Sequence, residues 1–77
     1  MSLRDKLRKL QGEWLIVESQ VWDYVKLRWQ PSALLGQLHH INASDIVVVK
    51  CGREFHFTFD SIEKLRMNPP TITLRHG

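Results

Sequence analysis

Residues 10–19 read Leu10-Gln11-Gly12-Glu13-Trp14-Leu15-Ile16-Val17-Glu18-Ser19. A basic amphipathic opening stops at Gly12, and a tryptophan then starts a run of β-type residues. Gly12 can take backbone angles closed to other residues, so the chain is expected to turn sharply there. Trp14 offers a large apolar body to plug one end of the sheet that follows. Over residues 13–21, Trp14, Ile16 and Glu18 share one face of the strand, and Leu15, Val17, Ser19 and Val21 share the other. Both faces are apolar at the start, which implies a central or covered strand.

Upstream, Ser2 can cap a short helix over residues 2–10. Leu3, Leu7 and Leu10 fall on one face of it, and Arg4, Lys6, Arg8 and Lys9 fill the remaining positions. Downstream, Val25, Leu27 and Trp29 alternate with Tyr24, Lys26 and Arg28, predicting a strand over 24–30 that ends at Pro31. Residues 32–35 can make one helical turn before Gly36. Strands follow over 37–41 and 46–50, joined by the turn Asn42-Ala43-Ser44-Asp45. Cys51-Gly52-Arg53 supplies a tight connection into a strand over 54–60, where Phe55, Phe57 and Phe59 alternate with His56, Thr58 and Asp60. Residues 61–70 read as a loop with a turn of helix, and 71–75 as a last short strand. The fold class expected is mainly β. A short N-terminal helix precedes five or six antiparallel strands in a meander, bent into a partial or small barrel.

The 77 residues make one small domain, near the size at which a single core is only just sufficient. Three Trp, three Phe and one Tyr carry much of its burial capacity. One cysteine excludes an intramolecular disulfide and argues for a reducing compartment. No apolar run is long enough to span a bilayer, and no apolar segment follows the N-terminal charges as a secretory signal requires. A cytoplasmic location is the default.

The four histidines raise the question of a metal. His39 and His40 are adjacent, so on a regular strand they point to opposite faces and cannot share an ion. A site of His56, one of that pair and Asp60 would have three ligands but no recognisable spacing, so solvated strand-face histidines are the reading preferred. His76 lies near the terminus. Cys51 has Lys50 and Arg53 beside it but no orienting base, which suits an incidental turn residue better than a nucleophile. Glu13, Glu18, Asp60 and Glu63 are dispersed, and no phosphate loop or nucleophile elbow is present. The chain is read as non-enzymatic, without metal or cofactor.

Three segments together resemble a known family. Residues 5–19, from Asp5-Lys6-Leu7 to the Leu10-Gln11-Gly12-Glu13-Trp14 opening, look like the start of a lipocalin-like family of uncharacterised planctomycete proteins. Gly52-Arg53-Glu54-Phe55-His56-Phe57-Thr58-Phe59 is similar to that family's glycine turn and strand. Asn68-Pro69-Pro70-Thr71-Ile72-Thr73-Leu74 is similar to its proline-led short strand. The likeness implies a bacterial protein with a lipocalin-like barrel or partial barrel that holds a small apolar ligand. The family continues with further strands, so a second copy or a missing C-terminal segment is expected to complete the sheet. The family's Asp-Pro before the loop is Asp60-Ser61 here.

Trp14, Ile16, Val48, Phe55, Phe57, Phe59 and Ile72 are the expected core. All but Ile72 are the expected ligand-contacting residues, with a protein partner held through the open sheet as the other use of that surface. From a different class comes an Sm-like or OB-like module for RNA or single-stranded DNA. It would combine the cations Arg4, Lys6, Arg8, Lys9, Lys26 and Arg28 with stacking on Trp22, Tyr24 and Trp29.

Overall fold

The Ser2 hydroxyl accepts the Asp5 backbone N–H at 3.2 Å and caps a helix, α1, over Leu3–Arg8. The chain then leaves the helix through turns, and Gly12 takes a φ of 88°, the left-handed conformation expected of it. Six strands follow in a computed structural model whose described residues are 2–75: β1 Trp14–Asp23, β2 Arg28–Ile41, β3 Asp45–Lys50, β4 Arg53–Thr58, β5 Ile62–Met67 and β6 Pro70–Leu74. A 3₁₀ turn, Phe59–Ser61, joins β4 to β5. The protein is mainly β, and its strands form one sheet in the order β4-β3-β2-β1-β6-β5.

The core lies on the face covered by α1. Leu7 and Leu10 descend onto Leu15 and Val17 of β1, Leu38 of β2, Ile46 and Val48 of β3, Ile62 of β5 and Ile72 of β6. The leucine face of the helix is therefore the apolar cover that its spacing predicts. Arg4 fixes the start of the helix to the sheet: its guanidinium donates to the carbonyls of Asn42 and Ala43 and lies 4.8 Å from the centre of the Phe59 ring.

The sheet departs from the expected meander in three places. Residues 28–41 form one strand where a strand, a helical turn and a second strand were predicted. Pro31 does not break it because no strand pairs with the flank of β2 away from β1 until Gln37, and a proline is tolerated on such an open flank. The segment read as a loop after Ser61 holds β5, an edge strand whose exposed Glu63, Lys64 and Arg66 mask its alternation. β6 then inserts between β5 and β1, antiparallel to β5 and parallel to β1 through Ile16↔Thr71, Val17↔Ile72 and Glu18↔Thr73. The sheet is mixed and open rather than closed into a barrel. β1 is a central strand, as its two apolar faces imply.

Gly36 governs how closely β2 and β3 approach. A Cβ there would lie 2.6 Å from Val48 Cγ1 and 2.9 Å from the Val49 carbonyl oxygen. Backbone on one side cannot move as a flexible side chain would, so Gly36→Ala is expected to lower unfolding free energy by about 1–3 kcal/mol. Leu7→Ala opens the fully buried centre of the helix–sheet contact and should cost about 2–5 kcal/mol. Urea denaturation followed by circular dichroism reads both; a Gly36→Ala midpoint equal to wild type would refute the close-approach account.

Candidate functional site

The longest ladder of the protein runs from Trp14↔Gln37 to Asp23↔Arg28 between β1 and β2. β6 supports β1 only at residues 16–18, and β3 joins β2 only from Gln37 onward. Residues 19–32 therefore project as a two-stranded hairpin with no third strand beside it, and none of them is buried. Asp23 shapes its end: Oδ1 accepts the backbone N–H groups of Val25 at 2.9 Å and Lys26 at 3.1 Å, the side-chain-to-backbone bonding that favours aspartate in turns. Residues 24–27 are thus a turn, not the start of a strand. Leu27 completes it at a φ of 54°.

Aromatic contacts fix the last rungs. Trp22 and Trp29 pair across the strands with ring centres 5.4 Å apart and planes at 72°, and Tyr24 meets Trp22 edge-on at 6.5 Å. Beyond them the tip is apolar and wet: Tyr24 is 82% exposed, Val25 92% and Leu27 71%. Val21, Trp22 and Trp29 are exposed as well. Lys26 and Arg28 stand among them, and Asp23 is the one carboxylate of residues 19–32.

The six residues expected to contact a ligand do not meet. Trp14 is 61% exposed on the outer face and plugs nothing; Ile16 shares that face and is half-buried. Val48 lies on the opposite face, sealed in the core, with Phe57 and Phe59 packed half-buried against it; Phe55 is half-buried opposite Val48. β1 offered two apolar faces, and the one that α1 covers is that of Leu15 and Val17. Of the expected core, Val48 and Ile72 are fully buried. A cleft of about 280 Å³ opens where β6 leaves the hairpin, between Glu18, Gln20, Pro31 and Thr73, and another of about 440 Å³, lined by Leu3, Arg4, Ala43 and Phe59, lies beside α1. Of the six residues only Phe59 lines either. Arg66 of β5 reaches across β6 to Glu18 at 2.5 Å on the rim of the first.

The six cations of the nucleic-acid reading are also divided. Lys26 and Arg28 lie at the hairpin tip. α1 sits at the other end of β2, where the Gly12 N–H donates to the Leu38 carbonyl at 2.7 Å. Ten residues of extended strand, about 33 Å, separate Arg28 from Leu38. Arg4 is engaged by the Asn42 and Ala43 carbonyls; Lys6, Arg8 and Lys9 lie along the helix and its C-terminal cap.

His39 and His40 correct a simpler expectation. β2 bulges so that Leu38 faces Val48 while His40 faces Val47, leaving His39 as the extra residue. The two rings lie side by side, 4.2 Å between centres, instead of on opposite faces. His56 faces Val47 from β4 and places Nδ1 3.3 Å from Asp45 Oδ2 and Nε2 3.7 Å from Glu54 Oε1. Among the described residues, no three His, Cys, Asp or Glu side chains converge as metal ligands, so Asp60 does not join the histidines. His76 lies outside the described residues. Cys51 is an exposed residue of the β3–β4 turn.

No protein-family model, no curated protein sequence and no solved structure matches this chain. The lipocalin-like likeness therefore rests on its three sequence segments. The exposed residues Val21, Val25 and Leu27 were missed as site residues because their alternation reads as a half-buried strand. The signal against that reading was Asp23, a turn former placed between two aromatic residues.

Asp45 is held below the usual aspartate value. The hydrogen bond from Asn42 Nδ2 at 2.8 Å does most, the His56 contact and its electrostatic effect add to it, and slight desolvation opposes both. A carboxylate whose folded-state pKa is depressed stabilises the fold fully above its unfolded value and loses that contribution as pH falls through the folded one. Asn42→Ala should move the Asp45 titration upward, toward that of an ordinary aspartate. Carboxyl-carbon NMR across the acid range checks this; an unchanged midpoint would remove Asn42 as the cause.

Proposed function

We propose that this protein is a non-enzymatic binding module that meets its partner through the tip of the β1–β2 hairpin, not through an internal cavity. The observation that carries the reading is the crowding of exposed apolar side chains. Nine large ones are exposed among the described residues, and six of them lie within residues 21–29. A patch of that kind on a small protein marks a contact surface. Of the other three, Trp14 and Leu35 lie on the uncovered face of the sheet, where Ile16 pairs with Leu35, and Met67 ends β5.

The lipocalin-like reading, with a small apolar ligand held by the sheet, is weakened by the division of its residues between two faces. Homodimerisation through a sheet edge is weakened by charge: β4 carries Arg53, Glu54 and His56, and β5 carries Glu63, Lys64 and Arg66, the kind of residues that blunt edge pairing. The non-enzymatic part of the reading rests on the sequence, where Glu13, Glu18, Asp60 and Glu63 are dispersed. A single exposed thiol fits a reducing, cytoplasmic setting. Among the described residues, no helix is long and apolar enough to cross a membrane.

An anionic apolar dye, 8-anilinonaphthalene-1-sulfonate, tests where such a surface lies. Its emission should rise on titration with the folded protein and fall to near the free-dye level with the variant Tyr24→Ser, Val25→Ser, Leu27→Asn. Equal enhancement by variant and wild type would place the apolar site elsewhere and overturn the hairpin reading.

A further inference from the structure

The hairpin is graded along its length. Gln20 opposite Pro31 and Val21 opposite Gln30 form its base, the Trp22–Trp29 rung comes next with Tyr24 against it, and Val25 and Leu27 stand at the end. Aliphatic side chains lead with Lys26 between them, amphipathic rings follow, and Gln20, Gln30 and the Ser19–Ser32 pair come behind beside Val21 and Pro31. This is the order in which a lipid interface changes from acyl chain through headgroup to water. From the tryptophan rung to the tip the hairpin spans about 10 Å, the depth to which interfacial segments bury their apolar faces.

Leu27 sharpens the point. At φ 54° a glycine or asparagine is the residue that local sterics favour. The chain carries instead a leucine that is 71% exposed and contributes little to the free protein. A side chain that breaks the local rule with no gain in the fold is expected where it serves a contact. The charges select the contact. Lys26 and Arg28 flank Leu27, and both are long enough to lay their stems along apolar surface with their heads among anionic groups. Asp23, which would oppose them, has Oδ1 turned back onto two backbone N–H groups. The whole chain carries a net charge of +3.

We propose that the β1–β2 hairpin tip inserts into the interface of an anionic lipid bilayer, with Val25 and Leu27 among the acyl chains, Trp22, Tyr24 and Trp29 at headgroup level, and Lys26 and Arg28 on lipid phosphates. The proposal rests on the hairpin reading above and names its partner. Single-stranded nucleic acid accounts for the rings and the two cations, but it leaves the aliphatic tip without a role.

The test uses the full chain with Trp14→Phe, which leaves Trp22 and Trp29 as the only tryptophans. Their emission is followed against vesicles of phosphatidylcholine alone, vesicles of equal parts phosphatidylcholine and phosphatidylserine, and polyuridylate. A blue shift is expected with the anionic vesicles, strengthening at low salt. Lys26→Gln with Arg28→Gln should weaken that binding on the order of tenfold. Val25→Ser with Leu27→Asn should abolish it while circular dichroism stays that of wild type, because asparagine suits the left-handed backbone better than leucine. No shift with anionic vesicles overturns the inference, and so does binding that the charge variant leaves unaltered. A response to polyuridylate without one to vesicles also overturns it and assigns the tip to nucleic acid. If the anionic dye still reports the tip, the hairpin reading survives that failure; if the dye response is also indifferent to the tip, both fall.

Discussion

β2 changes partners at Gln37, and the rest of the structure depends on that exchange. Gln37 pairs with Trp14 on one side and Val49 on the other, the only residue of β2 in both ladders. The step before it, Gly36, has no room for a side chain because Val48 and the Val49 carbonyl crowd the position where a Cβ would stand. The step after it, Leu38, bonds the incoming chain through the Glu13 carbonyl and the Gly12 N–H, then bulges at His39. One short stretch thus seats the helix turn and brings β3 close. It also lets the first nine residues of β2 run on with β1 alone, and that freedom creates the projecting hairpin.

Signals carried by adjacent residues were legible in the sequence. The Ser2 cap, the three leucines of α1, the turn at Gly12, the Asn42–Asp45 turn and the β3–β4 hairpin all depend on neighbours a few positions apart, and all are present. Signals that depend on the third dimension were not. Pro31 and Gly36 read locally as a break and a stop, yet one lies on an open flank and the other at a close approach, and both sit inside one strand. The charges of β5 hide a strand because an edge must look polar. Nothing local distinguishes a β6 that runs parallel to β1 from one that turns back against its predecessor. For Trp14 the ambiguity lay in the strand itself: with apolar residues on both faces, only the position of α1 decides which face becomes core.

The candidate site was legible in part. Trp22, Tyr24, Trp29, Lys26 and Arg28 could be grouped from their spacing, but the helix cations were grouped with them, and the fold puts those at the opposite end of β2. Val21, Val25 and Leu27 went unnoticed because an alternating apolar residue is ordinarily a buried one. A hairpin longer than its supporting strands reverses that inference, and its length is set by where β3 and β6 stop pairing.

The energetics of the tip follow from this geometry. An isolated two-stranded ribbon is marginal in water, and the Trp22–Trp29 and Trp22–Tyr24 contacts contribute about 0.5–1.5 kcal/mol each toward holding its register. Val25 and Leu27 add almost nothing to that stability, since burial energy scales with area removed from water and most of theirs remains wet. Leu27 subtracts from it through its left-handed backbone. The rungs that hold the hairpin and the residues that crown it therefore serve separate ends. Tryptophans below hold the register of the ribbon, which lowers the conformational entropy to be lost on contact. The aliphatic residues above keep their transfer free energy in reserve until an apolar phase receives them.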